Sequence, residues 1–195
     1  MADVKAFLAY FTPRLAEYDR LSTDNVIWQQ RIQGVGILPP AAAISYACSG
    51  PVLRGSGIAW DLRKHDPYGI YDRFDFTLPV GTCGDVWDRF WVRRQEMAQS
   101  VTIVEQALKA IPPGPVLAPL PKKLRVPVGD GYARVESPGG ELGFYLLSDG
   151  SERPYRYKVR SLAFVNLSAL PVMLPGYLVA DCQQRIGTHL ATLGP

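Results

Sequence analysis

An α+β fold, mostly helical with a small antiparallel sheet, is what this sequence of 195 residues predicts. Three observations carry that expectation. Residues 85–111 form one long amphipathic segment, clustered prolines and glycines divide much of the rest into short elements, and strand-like runs separated by turn residues occupy 132–160.

In chain order, Leu8, Phe11, Leu15 and Tyr18 recur at steps of three and four, which predicts an amphipathic helix that Pro13 either starts or kinks; Thr12 before it is a candidate N-cap. Asn25 is placed to cap a second short helix ended by Gly34, and Pro39-Pro40 to start a third running to Tyr46. The glycine- and proline-rich residues 49–57 are expected to break helix, and 74–78 to form a short strand. Over 85–111, Val86, Phe90, Met97, Val101, Val104, Leu108 and Ile111 form a stripe, which predicts the core helix and the most buried element of the fold. Asp85 and Asp88 at its start and Lys109 at its end complement the helix dipole. Pro112-Pro113-Gly114 stops it, and the proline-rich stretch to Gly131 reads as an irregular surface strap. Residues 132–136 and 142–147 read as strands around a turn at 137–140, with a third strand over 155–160.

A composition of 47% hydrophobic and 20% charged residues is that of a globular chain with a sizeable core. The net charge of +3 is scattered rather than gathered into a basic stripe, so nucleic acid is not an expected partner. The most apolar stretch, 170–180, is short and broken by Pro171 and Pro175, so no membrane span is expected, and the N-terminus carries no cleavage pattern for secretion. Cys48, Cys83 and Cys182 are isolated, and His65 and His189 are far apart, so neither a disulfide framework nor a metal site is expected.

The densest group of titratable residues is Asp61, Arg63, Lys64, His65 and Asp66 with Tyr68, Tyr71, Asp72, Arg73 and Asp75. A histidine between carboxylates can relay protons, but the plainer reading is a solvated or interface-facing loop whose charges pair with one another. Gly55-Ser56-Gly57, Gly129-Asp130-Gly131 and Gly139-Gly140 are too short for a dinucleotide fingerprint, so the chain is not expected to hold NADH. Ser49 and Ser56 lie outside any nucleophile elbow, and Trp87 and Trp91, one helical turn apart, read as packing residues.

Six blocks in order define a resemblance. They are Ser49-Gly50-Pro51-Val52-Leu53-Arg54-Gly55-Ser56-Gly57, Asp61-Leu62-Arg63-Lys64-His65-Asp66-Pro67-Tyr68, Val80-Gly81-Thr82-Cys83-Gly84-Asp85, Arg93-Arg94-Gln95-Glu96-Met97-Ala98-Gln99-Ser100, Gly140-Glu141-Leu142-Gly143-Phe144-Tyr145 and Phe164-Val165-Asn166-Leu167-Ser168-Ala169-Leu170-Pro171. Taken together, they make the chain resemble the second half of the D-type subunits of NADH:quinone oxidoreductase (respiratory complex I), a family related to the nickel-iron hydrogenase large subunit. The resemblance implies a partial hydrogenase-large-subunit-like fold, with residues 1–181 as part of the D-type domain and 182–195 as a divergent C-terminal tail.

The resemblance further implies a truncated subunit of a translocating oxidoreductase, contributing to the core where electrons pass from NADH through iron-sulfur clusters to quinone. The isolated chain is expected to be inactive, with no cofactor of its own. Its partners would be quinone, the subunit that holds the terminal iron-sulfur cluster and the C-type neighbour, on the cytoplasmic side of the membrane and peripheral to it. The quinone-pocket vicinity falls on Gly139, Gly140 and Glu141, where Gly139 stands in place of the arginine of the family's R-G-E-L-G turn, which a glycine cannot replace as a fixed charge. The family's loop histidine and tyrosine lie upstream of the first residue, the acidic tail pattern G-S-I-D-I-V-L-G-E-V-D-R is not found in 182–195, and Leu162 stands where a proline is usual. An alternative reading is a non-catalytic assembly scaffold derived from the same family.

Overall fold

The computed structural model describes residues 1–117, 119, 125–179 and 181. Cys182, His189 and the expected tail at 182–195 lie outside the described residues. The N-terminal helix α1 (Ala2–Tyr18) begins well before Pro13 and continues through it. Pro13 removes one main-chain donor, and Thr12 is not an N-cap: its hydroxyl donates back to the Leu8 carbonyl at 2.8 Å. A π-helical turn (Asp19–Thr23) leads to α2 (Val26–Ile32), where the Asn25 side chain accepts from the N–H groups of Ile27 and Trp28 at 3.0 and 3.2 Å. Helix α3 (Pro40–Ser45) starts behind Pro39 because a proline at the first helical position gives up no hydrogen bond.

Residues 49–57, expected to break helix, instead contain the short helix α4 (Pro51–Gly55), started by Pro51. All five of its residues are buried, so α4 rather than the long helix is the most enclosed element. Val52 and Leu53 join Leu38, Ala43, Cys48, Ala169 and Met173 in one core cluster. Two further short elements follow, α5 (Leu62–His65) and a 3-10 turn (Tyr71–Arg73).

The long helix α6 (Val86–Ala110) is present as expected. Asp85 caps it by accepting from the Asp88 N–H at 2.8 Å, and its other oxygen accepts from the Gly34 N–H at 2.8 Å, which ties the loop after α2 to the helix start. Asp88 gathers the N–H groups of Thr82, Cys83 and Gly84, fixing the turn that delivers the chain to α6. The expected apolar stripe is only partly the buried face. Met97, Val104 and Ile111 are exposed, whereas Val86, Asp88, Arg89, Val92, Val101 and Ile103 are buried. The difference arises because α6 packs against both α4 and α1, so neighbours rather than hydropathy alone choose the covered positions.

Residues 74–78 are extended but belong to no sheet. Their backbone is satisfied by α6: Gln106 accepts from the Asp75 N–H at 2.9 Å and donates to its carbonyl at 2.6 Å, and Gln99 accepts from the Thr77 N–H at 3.0 Å. Phe74 and Phe76 meanwhile pack on Ile103. Within the proline-rich strap, 118 and 120–124 lie outside the described residues, and the described part before 129 is irregular.

The sheet is antiparallel in the order β1 (Gly129–Ser137), β2 (Gly140–Ser148), β3 (Arg156–Arg160). Ser137 pairs with Gly140 around a two-residue turn, and Gly143 pairs with Arg160 on the other side. Helices α7 (Leu162–Leu167) and α8 (Leu170–Met173) return the chain to the core, where Met173 and Ala169 are fully buried. No helix among the described residues is long and apolar enough to cross a membrane.

Val101 is 9% exposed near the middle of α6. Val101→Asp should lower stability by about 3 kcal/mol, because an unpaired carboxylate would replace a packed side chain. Urea unfolding should show the midpoint falling, and an unchanged midpoint would remove Val101 from the core.

Candidate functional site

The charged residues scattered through the sequence blocks converge on Arg54 of α4. This arginine is 1% exposed, and a buried guanidinium is tolerated only where its donors meet acceptors. Its Nε donates to Glu96 of α6 at 2.7 Å, and Nη1 donates to Glu136 of β1 and to the Trp60 carbonyl, each at 2.9 Å. Asp61 lies 3.2 Å from the same Nη1 and is held from its other side by a forked pair with Arg63, at 2.6 and 2.9 Å. Glu136 also accepts from the Leu62 N–H at 3.3 Å. The Tyr68 hydroxyl closes the arrangement by accepting from the Glu136 N–H at 3.0 Å and donating to its carbonyl at 3.3 Å.

Burial works against every charge in this cluster, and the outcomes differ. It pushes the Arg54 guanidinium down, but Glu96, Glu136 and Asp61 outweigh it and the group ends above its ordinary value. For Asp61 burial pushes upward, yet the bonds to Arg63 and the charge of Arg54 overcome it, and the carboxyl ends below its ordinary value. Glu96 and Glu136 end above theirs, because burial outweighs what Arg54 returns. The dense titratable loop is therefore not simply solvated. Asp61 is fully buried, Asp66 pairs at the surface with Arg134 at 2.8 Å, and His65 stacks on Trp60 with ring centroids 4.7 Å apart.

A second convergence lies beside the first. Asn166 of α7 is fully buried; its side chain accepts from the Ser49 N–H at 3.1 Å and donates to the Gly139 carbonyl at 3.3 Å. The Ser49 hydroxyl accepts from the Glu141 N–H at 3.0 Å. Gly50 has φ +66°, and a β-carbon there would sit 2.4 Å from Gly140 Cα; one on Gly140 would sit 2.6 Å from Ser49 Oγ. The two backbones touch because neither residue carries a side chain. Gly139, Gly140 and Glu141, the three positions that the sequence points to, are thus brought together and onto the 49–57 block. Arg160 braces the same corner by donating to the carbonyls of Glu141 and Ala47 at 2.7 and 2.9 Å.

At this corner opens a cavity of about 330 Å³, with apolar walls that include Ile44, Leu53 and Trp60, and with Cys48, Glu141 and Arg160 supplying polar groups. Burial pushes the Cys48 thiol up to about 11, so it offers the cavity a neutral wall rather than a nucleophile. Among the described residues no group of three histidine, cysteine, aspartate or glutamate side chains is placed to hold a metal. Trp87 packs near Phe90, at 5.9 Å between centroids, and Phe90 takes the edge of Trp28.

Sequence reasoning misses Arg54, Glu96, Glu136 and Asn166 as site residues. The available signal is a lone arginine directly after Val52-Leu53 in a block flanked by glycines, a charge with no local reason to be there.

The blocks gathered at this corner are those that carry the resemblance, and comparison with known proteins gives the family. The chain belongs to the family of the 49 kDa subunit of respiratory-chain NADH dehydrogenase, whose model matches residues 1–124 and 119–194. The match runs beyond 181, the expected end of the resemblance. The chain is 49% identical over 192 residues to the D-type subunit of NADH-quinone oxidoreductase from Bacillus anthracis, covering 98% of this chain and 52% of that protein. A D-type subunit of the same enzyme from Solibacter usitatus is 45% identical over 192 residues, with the same coverage of 98% and 52%. One from Roseiflexus sp. is 49% identical over 186 residues, covering 91% of this chain and 50% of that protein. The chain therefore spans about half the length of these curated relatives.

Two outcomes test the cluster. Arg54→Met should cost about 3–5 kcal/mol in chemical denaturation, because Glu96 and Glu136 would remain buried without this cation; a loss below about 1 kcal/mol would mean that water already screens them. Glu136 supplies a sign. Its folded-state value lies above the ordinary 4.5, so the stability it contributes is complete below about pH 4.5 and is lost as pH rises through the folded-state value. Glu136→Gln does not titrate, so the stability of the variant relative to wild type should improve as pH is raised from about 4.5 towards neutrality. Urea melts across that range check it, and a difference that does not move with pH would contradict the role of burial.

Proposed function

We propose that the chain forms the second-half core of the D-type subunit in a proton-pumping NADH:quinone oxidoreductase, with the hydrogenase-large-subunit-like scaffold that the resemblance implies. It lines the quinone side of a complex in which electrons pass from NADH through partner-held iron-sulfur clusters to quinone. The observation that carries this reading is the corner where 49–57, 139–141 and Asn166 meet beside an apolar cavity of about 330 Å³. Such a cavity suits a planar apolar headgroup with oxygen acceptors. In this reading Ile44, Leu53 and Trp60 exclude water, and the two carbonyls bonded by Arg160 hold its guanidinium at the rim. Gly139, Gly140 and Glu141 make up the quinone-pocket vicinity.

The partners in this reading are the subunit that holds the terminal cluster and a C-type neighbour, with the chain peripheral to the membrane on its cytoplasmic side. The outer face of α1 supports packing on further protein. Phe7, Tyr10 and Tyr18 are exposed along it, as is Leu21 just beyond, more apolar surface than one helix of a free-standing domain needs to leave open. In this reading residues 1–181 belong to the D-type domain, and 182–195, most of which the family model also matches, form its tail without the acidic pattern that the resemblance implies.

One observation favours a second reading. Gly139 is buried at the position where the resemblance implies an arginine, so the turn itself offers no cation to a quinone carbonyl, and the nearby Arg160 is engaged by the carbonyls of Glu141 and Ala47. That favours a scaffold that keeps the fold without the chemistry.

The experiment places Gly139→Arg in a complex completed with the upstream half, the family tail and the cluster-bearing partner. NADH-driven quinone reduction should rise above that of the otherwise identical Gly139 form, whereas the same change in the isolated chain should give no activity. Equal rates in the two complexes would show that the position has no part in quinone reduction.

A further inference from the structure

The two edges of the sheet are treated differently. On the β1 edge, Glu136 turns its N–H and C=O away from β2, and both groups are taken up by the Tyr68 hydroxyl. Antiparallel pairing alternates residue by residue, so this fixes the direction of every other backbone group in the sheet. Glu136 is paired with Glu141, and the residues of β1 bonded to β2 are therefore those opposite Leu142, Phe144 and Leu146. Gly143, Tyr145 and Leu147 then bond to their partners Arg160, Lys158 and Arg156 in β3. Tyr157 and Val159 are left with N–H and C=O pointing outward. Among the described residues no further strand pairs along that edge, and every residue of β3 except Arg160 is exposed.

The side chains of β3 sort just as regularly. Arg156, Lys158 and Arg160 share the face of Tyr145 and Gly143, whereas Tyr157 and Val159 share the face of Phe144 and Leu146. The first face is cationic at the edge: among the described residues no carboxylate forms an ion pair with Arg156 or Lys158, while Asp130 and Glu141 on the same face are engaged by Tyr145 and by Tyr132 and Arg134. The second face is apolar and open. Phe144 stacks with Tyr157 at 6.0 Å between centroids, and Tyr157 and Val159 remain 54% and 41% exposed.

We propose that the free edge of β3 is a docking site for an extended segment of a partner polypeptide in which acidic and apolar residues alternate. Its backbone would pair with Tyr157 and Val159. Its acidic side chains would fall beside Arg156 and Lys158 on one face, and its apolar side chains would extend the Phe144–Tyr157 surface on the other. A second copy of this chain pairing edge to edge is the poorer occupant, because it would set cations against cations on the first face. The proposal stands on the sheet edge alone and does not depend on the quinone reading.

The test uses the full 195-residue chain and a fluorescent peptide of alternating glutamate and valine. The control is an isomer of the same composition with the glutamates and valines in separate blocks. Fluorescence anisotropy should show the alternating peptide binding about tenfold or more tightly than the blocked isomer, since only the alternating one matches both faces. The double variant Arg156→Glu, Lys158→Glu should lose the alternating glutamate peptide by a similar factor and gain one alternating lysine and valine. Val159→Pro removes an outward N–H that the fold does not use, as proline is tolerated on edge strands, and should also weaken binding about tenfold. Should that variant melt early, hydrogen exchange on the wild-type chain replaces it. The amides of Tyr157 and Val159 should exchange fast alone and be protected by the alternating peptide. Equal binding of the two isomers, no binding at all, indifference to both variants, or concentration-dependent protection of those amides without peptide would each overturn the proposal.

Discussion

A single buried cation, Arg54, sets the terms for much of this structure. Stripping water from a guanidinium is tolerable only if several acceptors replace it, and here they come from α6, from β1 and from the loop leading into α5. One side chain thus requires four stretches of chain to stay in register. The arrangement constrains geometry more than it adds stability, since ion pairs of this kind are costly to bury and costlier to break. What depends on it is the attachment of the sheet to the helices, because Glu136 is the residue through which β1 reaches Arg54.

The glycine contact between residues 50 and 140 performs the complementary task at the other end of the same interface. Whereas the ion cluster needs charge to approach charge, this contact needs the absence of any side chain so that two backbones can meet. Asn166 then hydrogen-bonds across the seam. Its amide can donate and accept at once, which an ionised carboxylate in its place could not do. Between the two contacts lies the cavity wall, so its shape depends on both.

Where local rules govern, the sequence is legible. Asn25 and Asp85 cap the helices they precede, the run over 85–111 is one helix, and the turn around Pro138-Gly139 separates two strands whose partners follow from alternation. Helix α4 is not legible, because a glycine- and proline-rich segment is helical here only through its fully enclosed surroundings. The run at 74–78 reads as a strand because its residues favour extension, yet its hydrogen bonds go to glutamine side chains of α6, which no periodicity encodes. The stripe on α6 fails at Met97, Val104 and Ile111 for a related reason: the helix is covered unevenly by α4 and α1. At the site, the positions Gly139, Gly140 and Glu141 come from resemblance, while their partners Ser49 and Asn166 emerge only from the tertiary structure.

Ser49 is separated from Glu141 in the turn by 92 positions and from Asn166 by 117. Contacts of that span close only after the chain between them has been ordered, because the entropy of closing so large a loop must be met before any hydrogen bond across it forms. The capped helices and the hairpin of β1 and β2, which are local, can form early, while the corner that holds the cavity can only be completed late. The cavity is then the part of the molecule whose formation reports on every earlier step. A compound that lodges there would act on the final stage of assembly, stabilising the finished chain without speeding the steps that precede it.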